Sequence, residues 1–486
     1  MTPASSLRHL LLACIPLVLV CSTFAGADAA PATTPRLVVL TDIEADPDDT
    51  ESLVRLLLYS NEIDLEGLIA TTSTWKQSSL APDSIRALIR TYGRVHANLL
   101  LHDRRYPSAD TLAALVKSGR PEYGLSGVGP GKGTEGSAWI VRCLEKNDDR
   151  PLWISVWGGA NTLAQALQTL QATRSAAEVD RLVAKLRVYA ISDQDDSGPW
   201  IRRTFPRLFY IVSPGGDYSQ ATWSAINSVI PGIDNATIGN RWLAEHIQQG
   251  HGPLGAAYPD VSWGMEGDTP AWLGLIPNGL GDPEHPDWGG WGGRYELRQP
   301  DASPANPQAF VDGVALPPET RPIWTNAIDT YAPPAYADHG RPVQPGQTSF
   351  QDAKVTLWRW RDDFQNDFAA RMTWTTRPFA QANHPPVPVL DTPDRIAVKA
   401  GTGFGISARG TTDPDGDSLS YHWFIYPEAG SYRGPMKIDG ADNSDGIWLT
   451  APAVQQPETV HVILHVTDKG TPALSRYKRV IVTVTP

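Results

Sequence analysis

Five acidic residues crowd into the eight-residue segment Asp42–Asp49, which reads D-I-E-A-D-P-D-D. Like charges this close repel one another unless something neutralises them. A hard divalent cation would do so economically, since Ca²⁺ accepts about six to eight oxygen ligands and tolerates bidentate carboxylates. The N-terminus of a following helix favours some of this charge, but not all of it. The segment therefore predicts a calcium site, with a solvated acidic turn as the alternative.

The acidic segment stands between two elements that would hold it in place. The apolar run Leu37–Leu40 is typical of a buried strand, and leucines recur at helical spacing from Leu53 onward. Strand-like and helix-like segments alternate to about residue 170, and further strands are expected at 152–156 and 186–191. This rhythm predicts an α/β fold with a mostly parallel sheet covered by helices on both faces. Ligands of such sheets bind at the carboxyl ends of the strands, where the acidic segment begins.

The pattern changes twice farther along the chain. Residues 250–350 are rich in Gly, Pro and Trp and show little periodicity, and a helix is expected at 358–379. A proline-rich segment at 383–388 then resembles a stiff linker. Beyond it, apolar residues alternate as in a small β-sandwich, at Val460, Val462, Leu464, Val466, Val480, Val482 and Val484. We therefore expect an α/β domain at 30–387 and an Ig-like or cadherin-like sandwich at 388–486.

Residues 1–29 have the pattern of a secretory signal peptide. Arg8 and His9 precede the apolar stretch Leu10–Cys21, and Ala-x-Ala cleavage patterns follow it. The protein is therefore expected to be secreted or periplasmic after this segment is removed. Cys143 would then have no partner, which leaves neither a disulfide nor a cysteine-based metal site.

The composition excludes several classes of partner. With 41 basic and 53 acidic residues the formal net charge is −12, and no basic cluster occurs, so binding to a nucleic-acid backbone is not expected. No apolar run after residue 21 reaches the roughly 20 residues of a membrane span. The 17 Trp residues are a heavy load, and an indole face suits a sugar ring.

Several motifs together resemble a known family. The pattern Asp42-x-Glu44-x-x-x-Asp48-Asp49 looks like the D-x-D-x-x-x-D-D signature of inosine- and uridine-preferring nucleoside hydrolases, with Glu in place of the second Asp. The segment Trp157–Ala164 is similar to that family's T-G-P-L-T-N-L-A segment. An exported bacterial family, described as cellulose-binding, is resembled more closely at 70–75, 191–200, 277–280 and 285–295. Its members join a nucleoside-hydrolase-like domain to a C-terminal β-sandwich.

The resemblance implies a calcium centre that activates water. In nucleoside hydrolases one Ca²⁺ holds sugar hydroxyls and the attacking water, and a carboxylate of the acidic motif takes the proton of that water. Transferred by position, Asp42 and Glu44 are the candidate catalytic residues, with Glu44 at the water-activating position. The implied metal ligands are Glu44, Asp48, Asp49, the main-chain carbonyl of Trp157 and a late aspartate, Asp268. One Ca²⁺ is expected in the α/β domain.

Departures from the family's pattern leave the substrate open. Glu44 is one methylene longer than Asp, Gly267 stands where a base-recognising His often precedes the late Asp, and 193–196 replaces the ribose-binding stretch. The bond broken could therefore join a sugar to a base or to another group. The aromatic residues at 285–295 either stack on sugars or plug their loop against helices. The candidate substrate-binding residues are Thr74, Trp75, Asn161, Asp193, Asp195, Trp200, Asn278, His285, Trp288, Trp291 and Arg294.

Two functions remain in view. The first is an exported Ca²⁺-dependent hydrolase of N- or O-glycosidic bonds, which needs Glu44 beside an open metal position in a buried pocket. The second is a non-catalytic protein that keeps the fold and binds cellulose or another polysaccharide, which should show an exposed aromatic strip. Asp413, Asp415 and Asp417 could also ligate Ca²⁺, but their D-P-D-G-D segment is ordinary turn chemistry, and a second Ca²⁺ in the sandwich is not expected.

Overall fold

The computed structural model describes residues 1, 34–214, 218–300, 313–333, 335–336, 342–343, 349–440 and 443–486. The signal peptide expected at 1–29 falls outside these residues, apart from residue 1. Within the described ranges, the helices are all too short or too polar to cross a membrane.

The α/β part is built on one eight-stranded sheet. Its strands are β1 (Arg36–Thr41), β2 (Asp64–Ala70), β3 (Val116–Ser118), β4 (Leu152–Val156), β5 (Leu186–Ala190), β6 (Phe209–Val212), β7 (Tyr295–Arg298) and β8 (Ile323–Asn326). They lie in the order β3-β2-β1-β4-β5-β6-β8-β7, and every neighbouring pair is parallel except β7 and β8. The chain runs outward in opposite directions from β1 and β4, so the carboxyl ends of these two strands form a topological switch point.

Helices cover both faces of the sheet, as the alternation of the sequence predicts. Along β1, Leu37 and Val39 belong to one hydrophobic cluster, and Val38 and Leu40 belong to another. The first cluster includes side chains of α1, α2 and α13, and the second includes side chains of α5 to α8. The helices are α1 (Asp48–Leu58), α2 (Pro82–Gly93), α3 (His96–His102), α4 (Ala109–Ala114), α5 (Glu135–Glu145), α6 (Asn161–Thr173), α7 (Ala176–Ala184), α8 (Ser197–Thr204), α9 (Asn240–Leu243), α10 (Gly252–Gly255), α11 (Pro270–Leu273), α12 (Val355–Trp358) and α13 (Arg361–Trp374).

The helix expected at 358–379 is shorter than the pattern suggests. The chain forms α12, turns at Arg359 and Trp360, and then forms α13, which ends at Trp374. Four short strands precede these helices in two antiparallel pairs, β9 (Asp329–Tyr331) with β12 (Phe350–Asp352) and β10 (Ala335–Tyr336) with β11 (Pro342–Val343).

The C-terminal part is a β-sandwich of two sheets. One sheet has the order β13-β19-β18-β15 and the other β14-β17-β16. The strands are β13 (Arg395–Lys399), β14 (Gly403–Ser407), β15 (Leu419–Ile425), β16 (Ile438–Asp439), β17 (Gly446–Thr450), β18 (Glu458–Asp468) and β19 (Ser475–Thr485). The alternating residues from Val460 to Val466 and from Val480 to Val484 lie in one buried cluster with Trp423, as the period of two predicts.

Strand β19 packs the sandwich against the α/β part. Asp363 on α13 accepts hydrogen bonds from Tyr477 and Ser475, and Asp367 pairs with Arg476 at 2.7 Å. Arg479 donates to the carbonyls of Leu280 and Trp288. These polar contacts join the sandwich to α13 and to the loop at 277–295, and Tyr426, Ile463 and Tyr477 lie in the same hydrophobic cluster as side chains of α13.

Candidate functional site

Five aspartates meet at the carboxyl end of β1 and form what we call the acidic cluster: Asp42, Asp46, Asp48, Asp49 and Asp268. Carboxylate oxygens of Asp46, Asp48 and Asp49 lie within 4.8 Å of one another. The charges of these residues and of Asp42 act on Asp268, which comes from the loop before α11. Asp42, Asp49 and Asp268 are each buried. The cluster therefore joins a strand end, a helix start and a distant loop at the switch point of the sheet.

A tight turn brings the acidic segment back on itself. Glu44 takes a left-handed backbone conformation with φ of 78°, and the amide of Ala45 donates to the carbonyl of Asp42 at 3.0 Å. After the turn, Asp46 accepts a hydrogen bond from the amide of Asp48 at 3.2 Å, where α1 begins. The turn places Asp46 beside Asp48 and Asp49, at the positive end of the helix dipole.

Burial and mutual repulsion raise the pKa values of the cluster. Burial raises the pKa of Asp42 to about 6, opposed by a hydrogen bond from Ser73. The pKa values of Asp48, Asp49 and Asp268 lie well above the usual range, first because of burial and then because of the neighbouring carboxylates. The protein thus holds several carboxylates where each resists ionisation, unless a cation joins them.

The donors fit a hard cation such as Ca²⁺. Asp268 Oδ2 is buried without a hydrogen-bond partner among the described residues, although a buried carboxylate oxygen is normally paired. The cluster offers oxygen ligands alone, which is the set that Ca²⁺ prefers. These observations make the acidic cluster a candidate metal centre.

A buried network fixes the loop that carries Asp268. Glu266 forms an ion pair with Arg55 of α1 at 2.6 Å and accepts hydrogen bonds from Tyr258 and Thr269, each at 2.8 Å. The amide of Glu266 donates to Glu51 Oε2 at 2.8 Å. These contacts bind the loop to α1, the helix whose first residues are Asp48 and Asp49. Residues of α1 thus hold the loop of Asp268 in place as well as supplying Asp48 and Asp49 to the cluster.

Two glycines allow the backbone to approach the carboxylates. A Cβ on Gly158 would lie 2.5 to 2.9 Å from the side chain of Asp42, and one on Gly267 would lie 2.8 Å from Asp48 Oδ2. Just before Gly158, the carbonyl of Trp157 accepts a hydrogen bond from Gln194 at 2.6 Å and keeps a second lone pair. The turn after β4 therefore lies directly against the cluster, where the resemblance implied a backbone ligand.

The structure departs from the sequence prediction at Glu44. Its side chain is 54% exposed, accepts a hydrogen bond from Ser84 and pairs with Lys76 at 3.1 Å. The left-handed turn at Glu44 directs this side chain outward and gives the inward place to Asp46, so Glu44 is not among the clustered carboxylates. Lys76 also donates to the carbonyl of Ile43 at 2.9 Å. Its charge partly opposes the rise in the pKa values of Asp42 and Asp49 that burial causes.

Three more predicted substrate-binding residues, Thr74, Trp75 and Asn161, follow the carboxyl ends of β2 and β4. Thr74 is buried and Trp75 is half-exposed in the loop after β2. Asn161 donates to Thr72 and to the carbonyl of Glu122, which ties neighbouring loops together.

Asp193, Asp195 and Trp200 are held by the protein itself. Asp195 accepts hydrogen bonds from the amides of Ser197 and Asn161, and its pKa is raised to about 7 by burial. Asp193 forms a buried ion pair with Arg202 at 2.8 Å, so its carboxylate is neutralised. Trp200 packs its edge against Phe205 of the second hydrophobic cluster.

Three predicted substrate-binding residues of the loop at 277–295 make their contacts with the core and the sandwich rather than with the acidic cluster. Trp291 is fully buried in the core, and Arg294 pairs with buried Asp329 at 2.6 Å. Asn278 accepts a hydrogen bond from the amide of Leu280, and its carbonyl accepts one from Tyr477 of the sandwich. These three predicted substrate-binding residues instead stabilise the contact between the two parts of the chain.

His285 and Trp288 stack on each other with ring centroids 4.0 Å apart, and Trp288 meets His461 of the sandwich edge-on. A small cleft of about 50 Å³ opens beside them, lined by His285, Trp153 and Tyr189 among others, and by no aspartate of the acidic cluster. His285 and Trp288 therefore make aromatic contacts with each other and with the sandwich.

Sequence reasoning did not assign three residues of the site: Asp46, Glu266 and Lys76. Asp46 was visible as one of the five clustered acids, but only the turn at Glu44 shows that it points inward. Glu266 and Lys76 carry no local signature, because their partners lie far away in the sequence.

The family described as "Cellulose-binding Sde182, nucleoside hydrolase-like domain" matches residues 36–295, and "Cellulose-binding protein Sde0182, C-terminal domain" matches residues 403–484. A solved structure of a nucleoside hydrolase-related hypothetical protein from Saccharophagus degradans, associated with carbohydrate metabolism, is 34% identical with a TM-score of 0.77. The match covers 93% of this chain and 100% of that one. No curated protein matches.

Two further structures share little with this chain. The effector protein XOO4466 is 11% identical with a TM-score of 0.31, over 71% of this chain and 95% of its own. The type III effector XopQ, solved with adenosine diphosphate ribose, is 12% identical with a TM-score of 0.29, over 71% and 96%. The family matches and the 34% identical structure together show that this chain belongs to the cellulose-binding Sde182 family, with a nucleoside-hydrolase-like domain and that family's C-terminal domain.

Proposed function

We propose that this protein is a Ca²⁺-dependent hydrolase of N- or O-glycosidic bonds. The observation that carries the proposal is the acidic cluster, with its unpartnered buried oxygen on Asp268, at the switch point of a nucleoside-hydrolase-like sheet. A cluster of raised-pKa carboxylates is costly unless it has a task, and such groups gather at functional sites. The family and fold support a sugar-linked substrate.

Asp42, Asp48, Asp49 and Asp268 would hold the cation, together with the carbonyl of Trp157, and Asp46 lies beside them. When bound, Ca²⁺ would acidify a water and anchor sugar hydroxyls. Asp268 is kept in place by the Glu266 network, and Asp48 and Asp49 by the first turn of α1. The ligand set is therefore fixed by elements of the core rather than by free loops.

Asp42 is the proposed acceptor of the proton of the attacking water. It is buried at the end of β1 beside the other carboxylates of the cluster, so with the cation in place its carboxylate would lie next to the bound water and could accept the proton of that water. Glu44 is replaced in this role, because Ser84 and Lys76 hold its carboxylate outside the cluster.

The test compares Asp42→Asn with Glu44→Gln as the matched control. Both variants lose one carboxylate of the same segment, but only Asp42 faces the cluster. Turnover of nucleosides and aryl glycosides should fall about 100-fold or more in Asp42→Asn, the usual range for loss of a general base, and stay near wild type in Glu44→Gln. Loss of turnover in Glu44→Gln but not in Asp42→Asn would make Glu44 the proton acceptor. If the wild type turns over none of these substrates, the proposal that the protein is a hydrolase is wrong.

The second candidate function is polysaccharide binding without catalysis. The specific finding that favours it is that both matched family segments are described as cellulose-binding. Depletion of the protein from solution by microcrystalline cellulose would support it, and turnover without depletion would reject it.

Export is part of both candidates. The signal-like pattern of residues 1–29 supports it. N-terminal sequencing of the protein from the periplasm and the medium should find a chain that begins near residue 28 to 30, and a chain that still begins at residue 1 would reject cleavage.

A further inference from the structure

One aromatic side chain of the sandwich lies open on a flat sheet surface. Trp448 of β17 is 55% exposed, although Trp is among the most buried residue types. It is the one large hydrophobic residue of the described part of 395–486 with such exposure. Its neighbours Ile447 and Leu449 point the other way, into the sandwich core. The fold therefore presents this indole to solvent rather than burying it.

Two glycines let the indole lie flat. On the neighbouring strand β14, Gly405 is paired with Trp448 and Gly403 with Thr450. A Cβ on Gly403 would lie 2.9 to 3.1 Å from atoms of the Trp448 ring, and one on Gly405 would lie 3.3 Å from it. One face of the ring therefore lies against glycine backbone, where a larger side chain would collide with it. More than half of the Trp448 side chain remains exposed to solvent.

The surroundings suit a neutral polar ligand. Asp439 of β16 is paired with Trp448 on the other side, and Lys437 neutralises it at 2.5 Å. Thr450 is exposed on the same face. We call the surface of Gly403, Gly405, Asp439, Trp448 and Thr450 the Trp448 face. An aromatic plate bordered by hydroxyl and carboxylate groups matches a pyranose ring, which has an apolar C–H face and hydroxyls at its edge.

We propose that the Trp448 face is a binding platform for a β-1,4-glucan chain. The family segment at 403–484, described as the C-terminal domain of a cellulose-binding protein, contains every residue of this face and argues for that occupant. A cellulose surface is uncharged, so the exposed indole rather than an ionic contact would carry the binding, and the Asp439 charge on this face is balanced by Lys437. The inference rests on the second candidate function and assigns it a location.

Stacking of an indole on glycine also stabilises a strand pair, so the test must separate binding from folding. The assay measures depletion of the full-length protein by microcrystalline cellulose, with thermal unfolding recorded for each variant. Trp448→Ala should lower the partition coefficient about tenfold or more, as loss of a central Trp commonly does. Trp448→Tyr should retain much of the binding, because an aromatic plate remains.

Trp263→Ala is the matched control, since Trp263 is 99% exposed in the α/β part. It should bind cellulose as the wild type does. Gly403→Ala adds a methyl beneath the ring and should weaken binding while the indole is still present.

Each outcome decides a different claim. Equal binding by wild type and Trp448→Ala would overturn this inference and leave cellulose binding by another surface standing. No binding by the wild type would overturn both this inference and the polysaccharide-binding candidate, and would leave the hydrolase proposal untouched.

Discussion

At the scale of single residues, Asp268 is the most informative carboxylate. It is buried, faces four other aspartates and has one oxygen without a partner among the described residues. A carboxylate in this setting weakens a metal-free fold and strengthens a metal-bound one, because the cation converts repulsion into coordination.

The substitution Asp268→Asn should therefore change the stability of the metal-free and the metal-bound protein in opposite directions. Without metal the variant should be more stable than the wild type, because the buried carboxyl group that its neighbours make costly to ionise is gone. With Ca²⁺ the order should reverse, because a ligand is lost and affinity falls about tenfold or more. Thermal unfolding with chelator and with Ca²⁺ checks both signs. Asp83→Asn removes an exposed carboxylate and should change neither value.

At the scale of elements, the ion pair between Arg55 and Glu266 ties α1 to the Asp268 loop. Both side chains are fully buried. Arg55→Met would leave the Glu266 charge without its partner, and we expect a loss of about 3–5 kcal/mol in the free energy of unfolding. Arg86→Met, which breaks an exposed pair with Asp83, should cost less than about 1 kcal/mol. Denaturant unfolding measures both, and equal small losses would show that the network is not structural.

Sequence patterns predict elements well here and side-chain directions poorly. The apolar strand β1, the helix α1 and the alternating sandwich strands follow from periodicity, which depends on near neighbours. Glu44 and Asp46 exchange places because one left-handed residue turns the chain, and no spacing rule encodes that. Trp291 and Arg294 were open between sugar contacts and packing, and burial against distant partners decides for packing.

At the scale of the whole molecule, His461 lies where the sandwich meets the Trp-rich loop. Arg479 donates to His461 Nδ1 at 2.8 Å, and Trp288 packs against the ring. Burial, followed by the charges of Arg479, Arg395 and His285, lowers the pKa of His461 from 6.5 to about 3. The folded protein therefore keeps this imidazole neutral as an acceptor.

This lowered pKa gives a pH dependence with a definite sign. Between pH 6.5 and about 3 the unfolded state binds the proton that the folded state refuses, so this group's contribution to stability falls as the pH falls. His461→Gln should remove that part of the acid sensitivity. Unfolding free energies of both proteins from pH 7 to 4 check this, and parallel curves would contradict it.

The acidic cluster is proposed to hold one Ca²⁺. The most direct measurement is calorimetric titration of Ca²⁺ into metal-free protein, beside the double variant Asp48→Ala and Asp49→Ala. We expect about one Ca²⁺ per wild-type chain with higher thermal stability on binding, and no such binding in the double variant. Wild-type protein that binds no Ca²⁺ and unfolds at the same temperature with and without chelator would contradict the account.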